Sequence, residues 1–392
     1  MNQNKFDFLI FGAGGMQGRI VTKDLAQNGY KIFVSDFDQE LLDKLLRSHP
    51  ELPNRTCDLR DFDATVKLIK EIKPTVVINC AEGSWNVEVY QAALAADAHV
   101  IDLGSDLTPT QKQIEMDEDF KKAGLTAITG CGSTPGINNI TLSHVIRDFD
   151  YVETIETGFA WTSDPKVFVV PFSMESILEE FTGEAPFIED KKWSQEDNPM
   201  EGTAKRRFKE IGSQIVFLVG HHAEPYTFFI YHKDKGVKNI KFYAGFPPHS
   251  FNKIKEFIGS GITGENENRS VNVDGKGLVP LSSLTKVLQE IYPPPVGYTE
   301  KENLWVSIEG MKDGKRKEVF IECIVPTLPG WEFAGCNVDT GLPASIIAQM
   351  IFNGEISERG SFGPGPVIPA EQFFKELAKR QMKIYIDDKL IN

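Results

Sequence analysis

A glycine-rich segment near the start of the chain carries the residue types that bind a diphosphate. The segment Gly12-Ala13-Gly14-Gly15-Met16-Gln17-Gly18 lies between an apolar run, Phe6 to Phe11, and a helical pattern that starts at Arg19. Glycine permits the turn and lets the main chain approach a pyrophosphate, and amides at the helix start bind the anion. Gln17 replaces the third glycine of Gly-x-Gly-x-x-Gly, so the spacing fits Gly-x-x-Gly-x-x-Gly. We therefore expect a dinucleotide-binding turn.

An acidic residue follows the second strand-like run, at the distance where the adenosine ribose of such a ligand would lie. The run Lys31 to Ser35 ends at Asp36, and the next residues are Phe37 and Asp38. A carboxylate here accepts hydrogen bonds from a free 2′-hydroxyl and repels a 2′-phosphate. No Arg or Lys follows immediately, so the pattern predicts NAD as the cofactor and disfavours NADP.

Composition limits the class of protein. With 392 residues the chain is long enough for two domains, and its net charge of −14 excludes nucleic acid as a partner. No apolar run is long enough to span a bilayer, and no secretory signal is evident at the start, so we expect a cytoplasmic protein without a membrane partner. The five cysteines show no Cys-x-x-Cys spacing. They predict neither disulfides nor a metal site.

Strand and helix patterns alternate through the first third of the chain. Six strand-like runs with helices between them predict an α/β fold with a doubly wound parallel sheet of Rossmann type, over residues 1–135. The carboxyl ends of parallel strands lie along one edge, which should form the cofactor crevice. Besides the glycine-rich segment and Asp36, the residues expected at the cofactor are Phe37, Asp58, Leu59, Asn79, Cys80, Ala81, Glu82, Asp102, Leu103 and Gly132.

The pattern changes after Asn139, where longer alternating runs predict an α+β domain with an antiparallel sheet over residues 136–340. Asp313-Gly314 between two such runs is a strong hairpin signal. A further strand is expected over Tyr226 to His232, a helical face at Met174, Ile177, Leu178 and Phe181, and a loop over Gly264 to Arg269. Residues 341–392 predict helices that return to the nucleotide-binding domain.

Three more segments identify a family resemblance together with the glycine turn. They are His99 to Asp106, Gly130 to Asn139 with its Cys-Gly-x-x-Pro-Gly element, and His222-Ala223-Glu224-Pro225. With Gly341-Leu342-Pro343-Ala344-Ser345 they resemble the saccharopine dehydrogenase-like family, most closely its lysine 6-dehydrogenase branch. The resemblance implies NAD(P)-linked chemistry on a carbon that bears nitrogen, with an amino acid or amine as substrate, in a homodimer.

The polar residues of these segments could manage the protons of such a reaction. Imine formation needs a base for an ammonium group, and histidine with a nearby carboxylate suits that role. We expect His222 and Glu224 to act there, on one face of a strand, although a strand-end histidine in a surface ion pair is the alternative. Asp102 and Asp106 follow the fifth strand and could contact the nicotinamide ribose or a substrate ammonium.

An amino-acid substrate also carries a carboxylate, which Arg binds well. Arg206, between Lys205 and Arg207, is the candidate, although three consecutive bases also fit a solvated face. Tyr243 and Trp161 could wall the pocket. Two other functions stay open: a reductase that joins an amine to a carbonyl compound to give an opine-like secondary amine, of saccharopine or carboxynorspermidine type, and a non-catalytic NAD-binding protein.

Overall fold

The computed structural model describes residues 6–169, 177–178, 180–182, 184–220, 222–261 and 270–392. Two sheets dominate it, one wholly parallel and one mostly antiparallel. This architecture confirms the predicted combination of a Rossmann-type sheet with a second α+β part. No helix in the described ranges has the length and apolar character needed to cross a bilayer.

The parallel sheet has seven strands in the order β17-β6-β5-β4-β1-β2-β3. Strands that are buried on both faces read as continuous apolar runs, which is why the sequence shows them clearly. In β1, Phe8 and Ile10 face one core cluster, whereas Leu9 and Phe11 face another. The strands are β1 Phe6–Phe11, β2 Ile32–Asp36, β3 Asn54–Thr56, β4 Pro74–Asn79, β5 His99–Asp102, β6 Thr126–Ile128 and β17 Gly360–Phe362.

Helices cover both faces of this sheet. Met16–Gln27 and Val338–Phe352 pack against each other on one face, while Phe62–Ile72 and Asn86–Ala95 contribute to the core of the other. The remaining helices before the second sheet are Gln39–Leu46, Leu107–Glu115, Asp117–Ala123 and Ile137–Val145. The carboxyl ends of β1, β2, β4 and β5 lie along one edge, as a parallel sheet requires.

The second sheet has ten strands, with the order β10-β11-β12-β7-β15-β16-β18-β19 and with β8 and β9 joined through β12. Its pairs are antiparallel except β7 with β12, which run parallel. The strands are β7 Tyr151–Asp164, β8 Ala185–Glu189, β9 Lys192–Glu196, β10 Thr203–Phe208, β11 Gly212–Leu218, β12 Asn239–Gly245, β15 Thr299–Lys312, β16 Lys315–Pro326, β18 Lys383–Ile386 and β19 Lys389–Leu390.

The hairpin predicted at Asp313-Gly314 is present between β15 and β16. Both turn residues have positive φ, 51° and 71°, which is the geometry that Asp-Gly favours. Separately, a small antiparallel hairpin joins β13 Val271–Val273 to β14 Lys276–Leu278. The other helices are Glu224–His232, Pro248–Gly259, Pro280–Ile291, Pro364–Val367 and Ala370–Lys379.

The prediction of a strand over Tyr226 to His232 is wrong, because this segment lies within the helix Glu224–His232. Its run of Tyr, Thr, Phe and Ile favours a strand locally, but Pro225 in the first turn suits a helix start. Of the predicted helical face, Ile177, Leu178 and Phe181 are buried, and Met174 lies outside the described residues. The loop predicted over 264–269 also lies outside them.

Candidate active site

The glycine-rich segment forms a tight turn between β1 and the helix Met16–Gln27. Gly12 has φ of +66°, and Gly15 directly precedes the helix. A Cβ on Gly18 would lie 2.1 Å from the carbonyl oxygen of Gly12, and one on Gly14 would lie 2.5 Å from the Leu41 side chain. Only glycine permits this close passage of the main chain. The turn leaves backbone amides at the helix start, where a pyrophosphate would bind.

Asp36 lies beside this turn at the end of β2. Its carboxylate accepts hydrogen bonds from the backbone N–H of Gly14 at 3.0 Å and of Asp38 at 3.2 Å. The residue is 4% exposed and contributes to a pocket of about 410 Å³. The other residues of this pocket are Phe11, Gly12, Gly15, Phe37, Leu41, Cys57, Asp58, Leu59, Arg60, Cys80, Ala81, Glu82 and Trp85.

This smaller pocket fits an adenosine group. Phe37 is 69% exposed at its rim and offers an aromatic face for a base. Arg60, which sequence analysis missed, also lines it and forms an ion pair with Asp58, with Nη2 to Oδ2 at 2.6 Å. Arg60 lies well beyond the residues directly after Asp36, the positions at which an arginine would indicate a 2′-phosphate.

A larger cleft of about 980 Å³ opens between the two sheets and continues from the nucleotide pocket through Cys80, Ala81 and Glu82. Its lining is acidic. The described residues that line it include the six acids Glu82, Asp106, Glu180, Glu184, Glu302 and Asp339, and they include no Lys or Arg. Gln17, Leu103, Ser133 and Thr134 also line it, so the glycine turn and the predicted Gly130 to Asn139 segment reach the same space.

His222 lies in the wall of this cleft, and its imidazole lies between two glutamates. Nε2 is 3.7 Å from the Glu180 carboxylate and Nδ1 is 3.4 Å from that of Glu224. The ring stacks on Phe242 with a centroid distance of 3.7 Å. Burial lowers the pKa of His222, but Glu224 and Glu180 outweigh burial and raise it to about 9. The imidazole is therefore protonated at neutral pH.

The structure corrects the reason for grouping His222 with Glu224. The two residues do not alternate along a strand, because His222 lies in a loop and Glu224 begins the helix Glu224–His232. Glu224 is fully buried behind the imidazole and is not among the residues that line the cleft. Glu224 therefore affects the cleft through His222 and does not face the cleft itself.

Asp102 is fully buried at the end of β5 and does not line the cleft. Its carboxylate accepts hydrogen bonds from Gly104 N at 2.6 Å, Gln113 Nε2 at 2.6 Å and Asn86 Nδ2 at 3.2 Å. Burial raises the pKa of Asp102, and hydrogen bonds from Gly104, Gln113 and Gly130 oppose the rise. Asp102 thus holds the loops that follow β5 and β6, while Asp106, four residues later, reaches the cleft.

The other residues predicted at the cofactor or the pocket lie in different parts of the structure. Asn79 donates to Asn86 at 2.7 Å in the same buried network, and Gly132 donates its N–H to Pro135. Met16 is 40% exposed on the glycine-turn helix. Trp161 lines the cleft.

Arg206 is not brought together with the other site residues. Its guanidinium forms an ion pair with Glu156 on β7, and the Tyr243 hydroxyl lies 3.5 Å from the same carboxylate. Neither Arg206 nor Tyr243 is among the residues that line the cleft. The base cluster 205–207 alternates along β10, so the three side chains do not converge on one ligand.

Sequence analysis also missed Glu180, Glu302 and Asp339. Each lies in a different segment, so no local motif contains two of them. The one available signal is in β15, where Glu300 and Glu302 share one face at the polar start of a strand whose middle is apolar and buried. Acids at such positions are costly to bury and therefore often mark a site.

Comparison with known proteins agrees with this arrangement. Residues 8–128 match the model of the saccharopine dehydrogenase NADP binding domain, and residues 132–382 match that of the saccharopine dehydrogenase C-terminal domain. A carboxynorspermidine synthase of Vibrio alginolyticus is 26% identical over 384 residues, covering 90% of each chain. A carboxyaminopropylagmatine dehydrogenase of Synechocystis is 24% identical over 376 residues, covering 90% of this chain and 91% of that one.

The fold is shared with a solved structure as well. Apo saccharopine dehydrogenase (L-Glu forming) from Saccharomyces cerevisiae superposes with a TM-score of 0.76 at 14% identity, covering 99% of this chain and 100% of that one. The two family models together span nearly the whole sequence. This chain therefore belongs to the saccharopine dehydrogenase family.

Proposed function

We propose that this member of the family is a NAD(P)H-dependent reductase that joins a diamine or related polyamine to a carbonyl compound, giving a carboxylated secondary amine. The observation that carries the proposal is the acidic cleft. Six acids and no Lys or Arg line it among the described residues, so its field favours a cationic substrate. This is the opine-type alternative of the sequence analysis and not the lysine 6-dehydrogenase function.

The two relatives support the same substrate class. Their names combine a carboxyl group with norspermidine in one case and with an aminopropyl agmatine in the other. Saccharopine carries several carboxylates, whereas His222 is the one cationic side chain in the described lining. A product with one carboxylate could use the hydroxyl groups of Ser84, Ser105 and Ser133, which all line the cleft.

The residues present fit a nicotinamide dinucleotide. The glycine turn would hold the pyrophosphate, the pocket at Asp36 and Phe37 the adenosine, and the part of the cleft at Gln17, Leu103 and Ser133 the nicotinamide. When bound, the reduced cofactor supplies the hydride. We propose NAD rather than NADP, because the Asp36 carboxylate would repel a 2′-phosphate.

His222 would act as the acid in this direction. The amine adds to the carbonyl carbon, and the adduct loses water to give an iminium, whose carbon then takes the hydride. Loss of water needs a proton on the leaving oxygen, and the His222 imidazolium in the cleft wall can donate it. The reaction consumes the amine, the carbonyl compound, NAD(P)H and one proton, and it yields the secondary amine, water and NAD(P)⁺.

The test is a matrix of turnover assays that follows loss of NADH or NADPH. The amines are 1,3-diaminopropane, putrescine, agmatine and lysine, each offered with a four-carbon amino-acid aldehyde and with 2-oxoglutarate. The proposal expects diamines with the aldehyde to react best. NAD reduction by lysine alone, with no diamine turnover, would instead assign the lysine dehydrogenase reaction. Tight cofactor binding without turnover in any combination would indicate a non-catalytic protein.

A further inference from the structure

Two carboxyl groups from distant parts of the chain meet in the cleft wall. Asp339 lies in the first turn of the helix Val338–Phe352, and Glu302 lies near the start of β15. The two groups lie within hydrogen-bond reach of each other, and both line the cleft. Their neighbour Glu300 does not line the cleft. Its carboxylate accepts a hydrogen bond from the Cys336 N–H at 2.9 Å. Asp339 and Glu302 therefore face the ligand space, whereas Glu300 supports the loop.

One oxygen of Asp339 has no donor while Glu302 is ionised. Asp339 is 3% exposed, and its Oδ1 accepts from Thr340 Oγ1 at 3.0 Å, which in turn lies 3.0 Å from Ser133 Oγ. When both carboxyl groups are ionised, Oδ2 receives no hydrogen bond from the described residues. A buried carboxylate oxygen without a donor costs free energy until something supplies one.

Negative charge dominates the surroundings, and His222 is the one cation in the described lining of the cleft. Glu300 and Glu180 face the pair, and the described lining of the cleft holds no Lys or Arg. Burial is the main cause that raises the pKa of Asp339 to about 7, and burial with the Asp339 charge raises the pKa of Glu302 well above its ordinary value. In the free protein the pair therefore retains a proton at neutral pH. The described residues are not placed to hold a metal ion there, since no suitable group of three ligands occurs among them.

We propose that Asp339 and Glu302 form the subsite that binds a protonated primary amine of the substrate. The inference rests on the proposed function for the substrate class and adds where the non-reacting ammonium lies. An ammonium carries three N–H donors, so it can reach Asp339 Oδ2 and the Glu302 carboxylate together. Its positive charge replaces the shared proton, which leaves to solvent when the amine binds.

The decisive experiment is calorimetric titration of 1,3-diaminopropane into the protein with NAD⁺ present, at pH 7 in two buffers of different ionisation enthalpy. The wild-type protein should release a proton on binding, seen as a buffer-dependent heat. Asp339→Asn keeps the shape and the contact with Thr340 but removes the charge. It should bind the diamine about 10- to 100-fold more weakly and lose most of the proton release.

Glu302→Gln is the second variant, in case one substitution perturbs folding, and it should behave like Asp339→Asn. Glu318→Gln is the matched control, because Glu318 is an exposed acid on β16 outside the cleft. Unchanged diamine affinity in both cleft variants, or no diamine binding by the wild type, would overturn the subsite.

The subsite and the proposed function can fail separately. If diamine binding depends on Asp339 but no amine and carbonyl pair consumes NADH or NADPH, the reaction proposed above is wrong and the subsite stands. If diamines turn over and both variants keep the wild-type KM, the reaction stands and the subsite is refuted. A rise in KM that exceeds the fall in kcat supports both.

Discussion

Arg380 forms a two-point ion pair with Asp24, across almost the whole length of the chain. Its Nε donates to Oδ1 at 2.9 Å and its Nη2 to Oδ2 at 2.8 Å. Asp24 lies in the helix that follows the glycine turn and is 4% exposed, and Ser345 and Gln349 also donate to it. The pair thus fixes the terminal helices to the helix that begins at the nucleotide site.

Arg380→Ala should lower the free energy of unfolding by about 3–5 kcal/mol, because it leaves the buried Asp24 carboxylate without its cation. Urea unfolding followed by circular dichroism measures this loss. Lys379→Ala is the control, since Lys379 is exposed and, among the described residues, forms its ion pair with Glu376 of the same helix. Equal unfolding midpoints for the two variants would contradict a stabilising role for the pair.

His222→Asn should reduce kcat of the reductive reaction about 100- to 1000-fold while leaving the Kd for NADH within a factor of about two. The reason is that the variant loses the proton donor but keeps the nucleotide pocket. In the wild type, kcat should fall as pH rises through about 9, where the imidazolium loses its proton. A flat profile across that range would remove His222 as the acid.

Glu224→Gln should move that alkaline limb to lower pH by about one unit or more, because the Glu224 carboxylate is the strongest of the groups that raise the pKa of His222. Glu224 is a positioning residue, so the shift of the pH profile distinguishes its effect from a general loss of activity. The exposed acid Glu318, replaced by Gln, should leave the limb in place. The profile of kcat against pH is the measurement.

Asp339→Asn should make the protein more stable at pH 8, by on the order of 2 kcal/mol, and should change its stability much less at pH 5. A carboxyl whose folded-state pKa is raised destabilises the folded protein once pH exceeds its unfolded pKa, and the penalty grows until pH passes the folded value of about 7. Asn carries no charge and avoids that penalty. Thermal unfolding of both proteins at the two pH values checks it, and an equal difference at both would contradict it.

Asp36→Ala should raise the ratio of kcat/KM for NADPH to that for NADH at least about tenfold, because the carboxylate that repels a 2′-phosphate is gone. Arg60, which lines the same pocket, should contribute to the gain. The double variant with Arg60→Ala should therefore lose part of it. If the ratio of kcat/KM values is unchanged in Asp36→Ala, Asp36 does not select the cofactor. Its role is then to accept hydrogen bonds from the two backbone N–H groups.

The sequence predicts strands well where burial on both faces makes them apolar throughout. The predicted run Phe6 to Phe11 has the bounds of β1 in the structure, and the run Lys31 to Ser35 differs from β2, Ile32–Asp36, by one residue at each end. The seventh strand was not predicted, because Gly360–Phe362 is only three residues long and follows polar residues. At 224–232 the aromatic and β-branched residues suggest a strand, and tertiary packing overrides that local preference.

Only part of the candidate site could be predicted, because only part of it belongs to local sequence patterns. The glycine turn, Asp36 and His222 are recognisable because each belongs to a local pattern with known chemistry. Glu180, Glu302 and Asp339 come together only through the fold, and each is one acid among the 56 Asp and Glu residues of the chain. Arg206 suits a carboxylate by residue type alone, but in the structure its guanidinium pairs with Glu156.

The late strand β17 has a consequence for biosynthesis. It hydrogen-bonds to β6 in parallel register, from Gly360 beside Thr126 to Phe362 beside Ile128. Until Phe362 of the 392 residues leaves the ribosome, β6 remains an open edge that can template pairing with other nascent chains. We therefore expect chaperones to bind this exposed edge during most of the protein's translation. Prematurely terminated products should aggregate rather than accumulate as a free nucleotide-binding fragment.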